Sequence, residues 1–147
     1  MKKLICMMGL ITALMSFQSG PKKITQKPVQ SANNLQASIT RGKEVYLLQC
    51  LACHQIDGGG VANLNPPLDG ATAVKANDKA RLIRIVLQGL NDRKEIDGEF
   101  YANNMAPHPD LTDQQIADVL TYVRNSWSNK ASAVTPAEVK AVRAKIK

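Results

Sequence analysis

Five consecutive residues, Cys50-Leu51-Ala52-Cys53-His54, carry most of the chemistry this chain can offer. Two thiols three apart, with an imidazole directly after the second, allow three uses. The first is a disulfide, structural or redox-active. Such a pair normally sits in a βαβ context, whereas here a helical pattern precedes it and the run Gly58-Gly59-Gly60 follows. The second is a zinc site built from Cys50, Cys53, His54 and His108. The adjacency of Cys53 and His54 departs from the usual spacing, in which the histidines form a separate pair. The third is covalent attachment of haem, with thioether bonds from Cys50 and Cys53 and with His54 as the proximal iron ligand. Two residues between the sulfurs let one helical turn set both along one edge of the ring. The next residue then directs its imidazole at the iron.

If haem is the answer, the second axial position decides the chemistry. An iron held by His54 alone stays open to gas or peroxide, while a second protein ligand closes it and favours electron transfer. The methionines are Met1, Met7, Met8, Met15 and Met105, and the first four fall in an N-terminal stretch that reads as a leader. Met105, in Asn103-Asn104-Met105-Ala106-Pro107-His108, is fifty-one residues past His54, far enough to wrap a ring from one face to the other. Its polar, turn-rich flanks count against a gap-filling core methionine. His108 is the rival ligand, and a vacant sixth position is the remaining alternative. A thioether ligand favours ferrous iron and so raises the potential relative to a second histidine.

The surroundings restrict the class of protein. Residues 38–127 hold nine basic and eleven acidic side chains, so the net charge of +7 belongs to the ends of the chain. A nucleic-acid binder places its basic patch on the folded unit, so that class is excluded. Residues 1–20 have Lys2 and Lys3, an apolar run over 4–17 and then small polar residues, the layout of a secretory signal peptide. The expectation is export to the periplasm, with weak membrane association if the leader is retained. Residues 21–37 are polar, lack an apolar period and read as a flexible linker. Aromatic residues make up only 4% of the chain, so a buried cofactor would add substantially to a small core.

The elements that must position these groups read as helices throughout. Ser38 or Thr40 caps a helix running to about Cys50. Pro66-Pro67 holds the next segment extended. Asn77 or Asp78 opens a helix with Leu82, Ile83, Val86, Leu87 and Leu90 on one face. Residues 91–104 read as a loop. Thr112-Asp113-Gln114-Gln115 is a capping box, and it opens a helix whose apolar positions run from Ile116 to Trp127. Trp127 reads as a core residue, with contact to a haem propionate as its alternative. Thr135-Pro136-Ala137-Glu138 is a second capping box, with proline at the first helical position. In the basic extension 129–147, Val139, Val142 and Ile146 are expected to pack on the domain, leaving Lys140, Arg143, Lys145 and Lys147 outside. The alternative for that extension is docking to an acidic partner.

These features together resemble the class I mono-haem c-type cytochromes of bacteria. The resemblance covers residues 38–127. It rests on Gly42-x-x-x-Tyr46 before the Cys50-x-x-Cys53-His54 motif, on Pro66-Pro67-Leu68-Asp69-Gly70, on Met105 and on Leu120-Thr121-Tyr122-Val123-Arg124. It implies an all-α cytochrome c fold of three to four core helices with long loops around one haem c. It implies a first and a last helix that cross, with Gly42 and Tyr46 meeting Leu120 and Tyr122. It also implies that the Pro66 carbonyl accepts a hydrogen bond from the proximal imidazole, which would fix the ring and raise its basicity. The activity implied is one-electron transfer by a monomer that is not itself an enzyme. Its partners would be redox proteins such as a dehydrogenase, reductase or oxidase. The alternatives are a permanent subunit of such a complex and a haem peroxidase or sensor. Here Met105 is followed by Ala106 and only then by Pro107, where many relatives have Met-Pro.

Overall fold

A computed structural model of the 147-residue chain describes the backbone of residues 28–91 and 95–146, with side chains from residue 34 onward. The leader 1–20, residues 21–27 of the linker and Lys147 lie outside the described residues. Six helices are present among the described residues: α1 (Pro28–Gln49), α2 (Leu51–His54), α3 (Thr72–Lys75), α4 (Lys79–Gln88), α5 (Asp113–Arg124) and α6 (Pro136–Arg143). Extended pairing among them is limited to isolated bridges: Val61 with Asn65, Leu90 with Met105, and Ile96 with Glu99. The all-α expectation therefore holds.

Local chemistry sets most helix ends. The Asp78 carboxylate accepts from the Arg81 amide at the start of α4. Thr112 and Gln115 form a reciprocal capping box on α5, and Thr135 and Glu138 form another on α6. Each box satisfies two amides that the first helical turn leaves without partners. Two boundaries differ from the sequence expectations, and so does the placement of Arg143. Helix α1 starts at Pro28, so residues 28–37 are helical rather than a linker. Proline is favoured in the first turn, and extending an existing helix gains a hydrogen bond per residue without a new nucleation cost. The segment thus needs no apolar period of its own. Helix α5 ends at Arg124, and Trp127 follows it in a left-handed conformation, φ 54°. The third difference, Arg143, is described below.

Helix α5 is the centre of the molecule. Ile116, Ala117, Val119, Leu120, Tyr122 and Val123 are all buried, because α1, α3, α4 and α6 each pack on it. The largest of these interfaces is the crossing of α1 over α5. Gly42 permits that crossing: a Cβ there would collide with the Asp118 carbonyl and the Tyr122 Cβ. Its nearest neighbours are thus Asp118 and Tyr122. Tyr46, one turn later, is fully buried with its ring centroid 5.3 Å from that of Tyr122. At the same crossing Asp118 accepts from Ser38 Oγ at 2.5 Å, from Arg41 Nε at 2.7 Å and from Gln114 Nε2 at 3.0 Å.

The C-terminal segment completes the core rather than hanging from it. Val134, Val139 and Val142 are buried, and Ile146 packs against them in part. Arg124 is fully buried without a carboxylate on its guanidinium, which donates instead to the carbonyls of Val74 (2.5 Å), Ala76 (2.8 Å) and Ser132 (2.8 Å). Asn129 donates to the carbonyls of Leu68 and Val123, both at 2.9 Å, and accepts from the Gly70 amide. Lys140 and Lys145 are exposed as expected. Arg143 is not. It is half-buried and paired with Asp113 at 2.8 Å, because the end of α6 lies against the start of α5.

Candidate functional site

Cys50 ends the long helix and caps the short one: its amide donates to the Tyr46 carbonyl, and its own carbonyl accepts from the His54 amide at 2.9 Å. One turn of α2 thus carries Cys53 and His54. Just past His54 two aromatic side chains hold successive carbonyls. Tyr46 Oη donates to the Gln55 carbonyl at 2.6 Å, and Trp127 Nε1 donates to the Ile56 carbonyl at 3.1 Å. Gln55 has φ 62°, a left-handed conformation that a glutamine adopts only when its surroundings hold it there. Trp127 packs on Tyr46 and Tyr122, with centroids 5.5 and 5.8 Å away, and lies over Gly58, where a Cβ would collide with the indole. Trp127 is therefore a core residue outside the cleft. Tyr46 and Trp127 bear on the site through hydrogen bonds to non-adjacent carbonyls, which no spacing in the sequence announces.

His54 is buried, and its Nδ1 lies 3.1 Å from the Pro66 carbonyl oxygen. A carbonyl can only accept, so Nδ1 carries the proton and Nε2 keeps a free lone pair. Burial lowers the pKa of the imidazole, while the bond to Pro66 opposes that shift. The neutral, ligating form is therefore favoured. Pro66 is held in turn by its loop: the amides of Leu68 and Asp69 donate to the Gly58 carbonyl at 2.7 and 3.0 Å. Cys50 is half-buried and Cys53 exposed. Burial first, then the neighbouring Cys53, pushes the Cys50 thiol up to about 11.

These groups open onto one cleft of about 280 Å³, with Leu82, Ile85, Leu90 and Ile96 among its apolar walls. Cys50, Cys53, His54, Pro66 and Met105 all line it, and so does His108. Met105 is paired through its backbone with Leu90, each amide donating to the other's carbonyl at 3.0 Å. The His108 amide donates to the Val86 carbonyl at 2.8 Å. No cluster of three or more His, Cys, Asp or Glu side chains suited to a metal ion forms among the described residues, so the zinc set is not brought together. The donor set of the cleft is two thiols, the His54 imidazole with a free nitrogen, the Met105 thioether and the His108 imidazole, inside apolar walls. That set fits an iron porphyrin joined through sulfur.

The family model described as "Cytochrome c" matches residues 39–127. This chain belongs to the cytochrome c family. Membership implies covalently bound haem c, and the matched stretch corresponds to one haem domain. The chain is 36% identical over 111 residues to the cytochrome c subunit of alcohol dehydrogenase (quinone) of Gluconacetobacter polyoxogenes, covering 69% of this cytochrome and 22% of that protein. It is 34% identical over 112 residues to cytochrome c-552 of Thermus thermophilus, covering 71% and 85%. With the gluconate 2-dehydrogenase cytochrome c subunit of Pantoea cypripedii it shares 37% identity over 108 residues, covering 69% and 24%. The cytochrome thus spans about a fifth to a quarter of the length of the dehydrogenase subunits it matches.

Proposed function

We propose that this chain is a one-electron carrier holding a single haem c through Cys50 and Cys53, with His54 and Met105 as axial ligands. The observation that carries the proposal is the bond from His54 Nδ1 to Pro66, made in a cleft that both thiols and Met105 also line. When bound, haem supplies a reversible one-electron ferric–ferrous couple. His54 presents Nε2 in a fixed orientation, and the Pro66 carbonyl raises its donor strength. Met105 offers a soft, uncharged sulfur, which favours the reduced state. Leu82, Ile85, Leu90 and Ile96 exclude water from the site and lower its polarity. The exposure of Cys53 leaves one edge of the site accessible to a partner. A brief redox encounter needs little area, below roughly 1,200 Å². The chain itself performs no substrate chemistry in this reading. It works as an exported, monomeric protein of the periplasm, with residues 1–20 as its leader. No helix of the described residues is long and apolar enough to cross a membrane.

A second reading is favoured by the relatives named as cytochrome subunits of dehydrogenases: this chain would be a fixed electron-transfer component of such a complex. The coverage of 85% of a cytochrome c-552 favours the free carrier. Purification under mild conditions separates the two, since a stoichiometric partner supports the fixed component and its absence supports the carrier. Absorption spectra of the exported protein with and without dithionite test the haem itself and are expected to show a covalent, low-spin centre. Met105→Ala should convert it to a high-spin centre that binds carbon monoxide when reduced. An unchanged spin state in that variant would remove Met105 from the ligand set.

A further inference from the structure

We infer, resting on the His54–Met105 assignment above, that Arg143 of the C-terminal helix is a positioning residue that keeps the Met105 loop closed. The chain between α4 and α5 is tied to the fold by backbone bonds, Ala102 to Asn63, Asn103 to Leu64, Met105 to Leu90 and His108 to Val86. Between His108 and α5 it has few donors, and Pro109 lacks an amide hydrogen. Arg143 supplies them. Its Nη1 donates to the Pro109 carbonyl at 2.9 Å, Nη2 to the Leu111 carbonyl at 2.6 Å, and Nε to Asp113 Oδ1 at 2.8 Å. All three nitrogens are used, and all three acceptors lie within five consecutive residues. The planar fork of arginine allows this, and a lysine ammonium cannot reproduce it. A cation beside a helix N-terminus is opposed by the helix dipole. Here Asp113, in the first turn of α5, offsets that cost.

The anchor behind Arg143 is firm. Val139 and Val142 bury α6 in the core, and Lys79 ties its start to α4 through Glu138 at 3.0 Å. Arg143 therefore transfers the rigidity of a packed helix to a loop of mostly exposed residues. If the bond is only a surface staple, removing it lowers global stability and nothing else. If it positions the loop, removing it opens the site while the rest of the molecule stays folded.

The test uses the haem-loaded full chain, with Arg143→Gln compared against Lys79→Met, which cuts the other ion pair of α6 at a distance from the loop. Potassium cyanide added to the ferric protein reports displacement of the sixth ligand, and amide hydrogen exchange at Met105 and His108 reports loop opening. Arg143→Gln should speed both by roughly tenfold or more, the loss expected for charge-assisted bonds. Lys79→Met should leave both within about twofold, since distant sites act independently. Equal acceleration in the two variants, or none in Arg143→Gln, overturns the inference. If Arg143→Gln does not accumulate as holoprotein, Arg143→Lys carries the same test with a smaller rise in the same direction, and no rise there overturns it. If Met105→Ala takes up cyanide no faster than the parent, the ligand assignment is what fails, and amide exchange alone then decides the role of Arg143.

Discussion

The two ends of the cleft are held by different means. Around His54, a proline carbonyl, two aromatic donors and the buried α1–α5 crossing converge on a few consecutive residues. Around Met105, the chain is held by backbone bonds, from Ala102 and Asn103 to the carbonyls of Asn63 and Leu64, between Met105 and Leu90, and from His108 to Val86, and by a guanidinium from a distant helix. Met105 is only half-buried, and Asn103, Asn104, Ala106 and Pro107 are exposed. Regions with few buried contacts open locally at a lower free-energy cost than the core. One end is thus fixed by the same packing that folds the protein. The other is held chiefly by backbone bonds of exposed residues, which suits the ligand role proposed for Met105.

The sharpest way to break this comparison is at the crossing. Gly42→Ala places a Cβ against the Asp118 carbonyl and should cost about 3 kcal/mol or more, since overpacked backbone contacts cannot relax cheaply. Denaturant melts of the holoprotein measure it, and a loss below about 1 kcal/mol would show that the crossing yields easily.

Next in size is the acid response of the same contact. Burial pushes the Asp118 carboxyl up, but the bonds from Arg41, Ser38 and Gln114 outweigh it and hold the group below its ordinary range. A depressed carboxylate contributes stability that is fully present above the unfolded pKa, about 3.9, and is lost as pH falls through the folded value. The stability gap between the parent and Asp118→Asn should therefore be widest at neutral pH and shrink below about pH 4. A gap that does not change with acid would show that the charge is not what joins the helices.

The smallest effect sharpens the contrast directly. Tyr46→Phe leaves the Gln55 carbonyl without its donor and should cost about 1–2 kcal/mol. Asn103→Ala removes an exposed bond to Asn65 and should cost about 0.5 kcal/mol or less. Similar costs for the two, in parallel melts, would erase the difference between the ends of the cleft.

What could be read from the sequence was what depends on neighbours in the chain. Both capping boxes, the Asp78 cap and the turn that carries Cys53 and His54 are local arrangements with fixed spacing. The family resemblance added Pro66 as the partner of His54, and the two stand at hydrogen-bonding distance. What could not be read depends on the far side of the fold. Arg124 sits in the core because carbonyls from residues 74, 76 and 132 meet around it. Trp127 leaves the helical path to lie over Gly58. Arg143 turns inward to acceptors thirty or more residues away. Residues 28–37 are polar and look like a linker, but they extend a helix nucleated elsewhere.

The two sulfurs of the motif differ in a way that bears on how the protein is assembled. Cys53 lies at the surface, while Cys50 is half-buried, and burial pushes its thiol up to about 11. A protonated thiol is a poor nucleophile. If these are the attachment points, as proposed, a chain that closed before loading would leave Cys53 open and Cys50 partly covered. Under the proposed attachment, loading the chain before it closes gives the cofactor equal access to both sulfurs.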